Sequence, residues 1–111
     1  MTLEIQKGFY YHYKHNPEVG QDNYAYEVLG LGQYTEGAYG TPENTLVVYR
    51  PLYESAPVYT LGKMFDIRPL SMFKELVEQN GHKIPRFRKI EDGEIIDFLQ
   101  KKRAEMYGEE N

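Results

Sequence analysis

With 111 residues the chain can bury roughly two thirds of its unfolded surface in one core, and the absence of cysteine excludes disulfides, thiolate metal sites and cysteine nucleophiles. Seventeen acidic against thirteen basic residues give a net charge of -4, the wrong sign for holding nucleic acid mainly by neutralising phosphates. Eleven tyrosines and five phenylalanines with no tryptophan favour pleated, half-buried surfaces, so the chain reads as mainly β.

Glu4 and Lys7 interrupt the N-terminal region before an apolar segment of signal-peptide length develops, and no apolar run reaches spanning length. A soluble, cytoplasmic protein with no membrane partner is expected. Gly8 to Lys14, GFYYHYK, alternates Phe9, Tyr11 and Tyr13 against Tyr10, His12 and Lys14, which predicts a strand with its wholly aromatic face toward the core. A cluster of turn formers, Asn16, Pro17, Gly20, Asp22 and Asn23, then reverses the chain. Tyr24 to Tyr34 is the second strand. Gly30 and Gly32 on one of its faces leave room for a sharp bend or a crossing backbone, the means by which a short sheet curls into a barrel.

After the flexible segment Glu36 to Asn44 comes LVVYRPLY, Leu46 to Tyr53, the most strand-like run of the chain. Alternation places Leu46, Val48 and Arg50 on one face and Val47, Tyr49 and Pro51 on the other. Both faces begin apolar, which marks a central strand, and Pro51 marks its end or a bend. Short strands at Val58 to Leu61 and Phe65 to Arg68 follow. Residues 69–73 start helically behind Pro69. Ser71 to Gln79 reads either as a two-turn helix or as the approach to a hairpin closed at Asn80 and Gly81. The Asn-Gly pair between alternating runs favours the hairpin. Asp92 caps a final helix from Gly93 to Tyr107 with Ile95, Ile96, Leu99 and Met106 on one apolar stripe, suited to packing on the sheet or to a homodimer surface.

GFYYHYK, YEVLGL, LVVYRPLY, IRPLSMF and IPRF, in this order from about Gly8 to Ile90, resemble the family called domain of unknown function 1653. The resemblance implies a small SH3-like β-barrel, mainly bacterial, with no assigned activity. The barrel would occupy residues 1–91, and residues 92–111 would form a helix packed on it or on a second copy. Members often carry arginine where this chain has Tyr11, glycine where it has His15 and tryptophan where it has Asp66, so a site at those positions is not carried over.

Three arginines recur beside a proline or aromatic at strand ends, as YRP at Arg50, IRP at Arg68 and PRF at Arg86. Convergent, they form a cationic mouth floored by Tyr49 or Tyr53 for a carboxylate or phosphate. Alternatively, each bonds a loop carbonyl or a carboxylate such as Glu27, Glu54 or Asp66 and fastens the barrel end. Sequence favours the fastener. His12 and His15 form an HxxH whose members face opposite ways on an extended strand, so no metal site is expected, and no cofactor fingerprint occurs. The expected function is a non-catalytic binding module that presents His12, Tyr49, Arg50, Tyr53, Arg68 and Arg86 to a peptide or protein surface. The alternative is a small-anion sensor or enzyme with the arginines as clamp and His12 as acid or base.

Overall fold

A computed structural model describes residues 4–53 and 64–108, and seven strands and two helices lie among these described residues. They run β1 (Gly8–His12), β2 (Ala25–Gln33), β3 (Thr45–Pro51), β4 (Asp66–Pro69), α1 (Leu70–Phe73), β5 (Leu76–Gln79), β6 (His82–Pro85), β7 (Phe87–Lys89) and α2 (Gly93–Tyr107). Five strands form one antiparallel sheet in the order β4-β3-β2-β1-β7, and β5 with β6 forms a separate hairpin. The strand expected at Val58 to Leu61 lies outside the described residues. No helix among the described residues is long and apolar enough to cross a membrane.

The register explains the shape. Val28 pairs with Tyr49 and Gly30 with Val48, so Leu29 is the extra residue of a β-bulge, a device that bends and over-twists a strand. The barrel closure expected from Gly30 and Gly32 is not made: among the described residues β4 and β7 are the two outer strands and do not pair with each other. Among the described residues, a Cβ on Gly32 would meet only the Val48 side chain, at 3.7 Å, so none of their backbone crosses there. The glycines accompany a bend instead of a closure.

The core is double. On one side of the sheet Tyr10, Val28, Val47, Tyr49, Leu70, Phe73 and Phe87 pack together, with the Phe73 and Phe87 rings stacked 4.1 Å apart. On the other, Phe9, Tyr11, Ala25, Leu52 and Ile90 receive Leu99 of α2, which is fully buried. The Phe9 and Tyr11 face is therefore one of two core faces and not the sole one. A single aromatic strand can serve both because α2 covers one side of the sheet while α1 and Phe87 cover the other. The strand also stops at His12, earlier than expected, where the chain turns and the His15 amide donates to the His12 carbonyl at 2.9 Å.

Local chemistry sets the remaining elements. Asn80 and Gly81 both take positive φ, 54° and 81°, and Gln79 pairs with His82, so this is a two-residue hairpin turn of the I′ class. Helix α1 is limited to one turn after Pro69, and the two-turn helix over 71–79 does not form. Helix α2 is held at both ends. The Asp92 carboxylate accepts from the amides of Glu94 and Ile95, and Gly108 closes the other end in the left-handed conformation with φ 67°.

Candidate functional site

The two faces of β3 carry different chemistry. Arg50 and Glu27 are direct cross-strand neighbours, which sets both side chains on the α2 side. Arg50 is buried, and its Nε and one terminal nitrogen donate to Glu27 Oε1 at 3.1 and 3.0 Å. Arg103 of α2 donates to the other oxygen, Oε2, at 2.7 Å. The Arg50 guanidinium lies 4.0 Å from the centre of the Tyr107 ring, and the Tyr107 hydroxyl donates to the Pro51 carbonyl. Lys102 adds an ion pair to Asp22 at 3.4 Å. Arg50 is thus part of a buried fastening between sheet and helix.

Beyond β3 on the opposite side lies a run of rings. Tyr49 meets Tyr26 edge to face at 5.4 Å, Tyr26 meets Tyr53 at 5.6 Å, Tyr53 meets Tyr24 at 5.8 Å and Tyr24 stacks on His12 at 5.5 Å. The Tyr26 and Tyr53 hydroxyls hydrogen-bond to each other at 2.8 Å. Burial, reinforced by that bond and by Tyr53, Tyr49 and Asp66 nearby, pushes the Tyr26 hydroxyl well above the usual tyrosine range. Burial likewise raises Tyr53. Tyr49 itself is buried, whereas Tyr24, Tyr26, Tyr53 and His12 stay partly exposed.

Arginines edge this run. Arg68 Nε donates to the Tyr49 hydroxyl at 3.2 Å, and its guanidinium sits 5.6 Å from the centre of the Phe87 ring. Arg86 pairs with Glu75 at 2.8 Å, and its buried Nε has no partner among the described residues. Burial first, then the charges of Arg68, Lys14 and Arg86, lowers the His12 pKa to about 4. The ring is therefore neutral near pH 7. Its Nδ1 accepts the Lys14 amide at 3.2 Å, which places the proton of the neutral ring on Nε2.

Of the six residues singled out from sequence, His12, Tyr49, Tyr53, Arg68 and Arg86 fall around this one region, and Arg50 does not join them. Tyr24 and Tyr26 were missed. Tyr24 is held at φ 55°, a left-handed conformation rare for an aromatic residue, and that backbone turn brings its ring onto His12. The neighbouring Asn23 is the residue that composition would place there. His15 also departs from expectation: once the strand ends at His12, both histidines line one cleft of about 350 Å³ with Tyr13, Gln79, Ile84 and Pro85. The His15 ring stacks on Tyr11 at 3.6 Å, and its Nδ1 donates to the Asn23 carbonyl. No group of three metal-ligating side chains occurs among the described residues.

Among known proteins, the family model described as "Protein of unknown function (DUF1653)" matches residues 8–89. No curated protein and no solved structure matches the chain.

Proposed function

We propose, from the premise that the chain belongs to the DUF1653 family, that it is a non-catalytic binding module that takes an extended peptide or a protein segment on its ring-lined face. The observation that carries this reading is the continuous contact series of the partly exposed His12, Tyr24, Tyr53 and Tyr26, which ends on the buried Tyr49 and is edged by Arg68. Rings of this kind bind extended segments through stacking and through hydroxyls that select backbone carbonyls. Residues 1–91 are proposed as the unit that carries the site, as an opened variant of an SH3-like barrel, with residues 92–111 bracing it from behind.

The small-anion alternative draws less support, because it needs three converging arginines and Arg50 is committed to Glu27 on the other side of the sheet. Titration of the isotope-labelled protein with a capped proline- and tyrosine-containing peptide tests the reading. Amides of His12, Tyr24, Tyr53 and Arg68 should shift together and saturably. Shifts confined to α2 would overturn it.

A further inference from the structure

Resting on that reading, we infer that the ligand of the ring-lined face is an acidic peptide, one carboxylate of which sits among His12, Arg68 and Arg86. Phe87 joins the three groups: His12 is its cross-strand partner with the rings 5.1 Å apart, the Arg68 guanidinium lies 5.6 Å from its ring, and Arg86 precedes it in the chain and accepts the Tyr13 amide on its carbonyl, so that, with Lys14, three cations lie around His12 in a chain that is acidic as a whole. Two of the three are incompletely matched. Arg68 engages the Tyr49 hydroxyl through Nε and has no carboxylate partner among the described residues. Arg86 meets Glu75 through one terminal nitrogen only, while its buried Nε stays unpartnered among the described residues. The terminal nitrogen of Arg86 that Glu75 leaves unused belongs to a partly exposed side chain and can donate to a ligand oxygen.

His12 adds the selecting element. With Nδ1 occupied by the Lys14 amide, its Nε2–H is a donor with no acceptor among the described residues. Two guanidinium groups and a neutral N–H donor suit an anionic acceptor and offer nothing to a ligand ammonium. The fastening on the opposite side of the sheet shows the contrast, because there the carboxylate is supplied by the chain itself as Glu27. On the ring-lined face Glu75 engages one nitrogen of Arg86 and Asp66 lies near the Tyr26 and Tyr53 rings, but no carboxylate among the described residues bonds Arg68, and that position is left to the partner. The rings that continue from His12 through Tyr24 and Tyr53 then select apolar or proline residues beside the acid.

The test uses the full chain and three capped hexapeptides of proline and tyrosine that differ at one central position, glutamate, glutamine or lysine, with an eight-residue oligothymidylate as a separate probe. Affinities should fall in the order glutamate, glutamine, lysine, with about tenfold or more between the first two, and that gap should narrow as salt is raised. Arg68→Met should remove the gap in a protein whose amide spectrum away from the face is unchanged. The order among the peptides needs no variant, so a misfolded Arg68→Met leaves the inference open to refutation by the peptides alone. Equal affinity for the glutamate and glutamine peptides overturns the inference and leaves the peptide-binding reading standing. Absence of shifts with all three peptides overturns both. Saturable shifts at His12, Tyr24 and Tyr53 with oligothymidylate and none with the peptides make the face a nucleic-acid surface and overturn both as well.

Discussion

The α2 side and the ring side of the sheet treat the same residue type in opposite ways. Arg50 and Arg68 stand in near-identical contexts, YRP and IRP, yet one is buried against a carboxylate from its own sheet and the other ends on a tyrosine hydroxyl. The cause is register. Glu27 lies directly across from Arg50, whereas Arg68 lies across from Val47, which has no acceptor to offer from its side chain. Whether an arginine near a strand end meets a carboxylate thus depends on its cross-strand neighbour and not on its own motif.

The sharpest way to break this comparison is Arg50→Met. It removes both bonds to Glu27 and the contact with Tyr107, leaving a largely buried carboxylate to Arg103, and should cost about 3 kcal/mol in urea denaturation. The matched Arg68→Met should cost less than about 1 kcal/mol, since the Tyr49 hydroxyl it abandons loses a single donor. Equal costs would erase the distinction between the two sides. Between these lies Gly81→Val, at about 1 kcal/mol or more, because a β-branched residue resists φ 81°. An unchanged midpoint there would mean that the hairpin supporting Ile84 and Pro85 at the cleft tolerates a different turn.

His12 gives the comparison a pH dependence. Its folded pKa, about 4, lies below the ordinary 6.5, so the unfolded chain binds this proton first as acid is added. The stability linked to His12 is complete above pH 6.5 and is lost progressively as pH falls toward 4. Comparing the denaturation midpoints of the protein and His12→Gln across that window should show a steeper acid decline in the parent. Parallel curves would remove the burial argument for this ring.

Much of the fold is legible because it is local. The Asn80-Gly81 turn, the Asp92 cap and the alternation of Val47 and Tyr49 against Arg50 need only near neighbours, and each is found. What sequence misreads depends on distant partners. The core face that alternation within β1 does not announce is the one holding Tyr10, which exists because Leu70, Phe73 and Phe87 arrive from elsewhere in the chain. The open sheet follows from a bulge at Leu29, where two glycines suggest closure equally well. Tyr24 was invisible as a site residue because its role comes from a left-handed φ that its side chain disfavours. Arg50, by contrast, reads from sequence as a charge requiring a partner, with Glu27 among the carboxylates able to supply it.

The bond from Arg103 to Glu27 spans 76 residues, and that separation bears on how the chain matures during synthesis. Strand β1 already waits for β7 before both of its edges are paired, and Glu27 waits longer still, until the last turns of α2 have left the ribosome. Until then the Phe9 and Tyr11 rings lack Leu99, and the Glu27 and Arg50 charges lack Arg103 and Tyr107. Docking of α2 accordingly follows synthesis of the sheet strands it covers, and a ribosome stalled before Arg103 emerges should hold a chain whose sheet is more open to protease than that of the released protein.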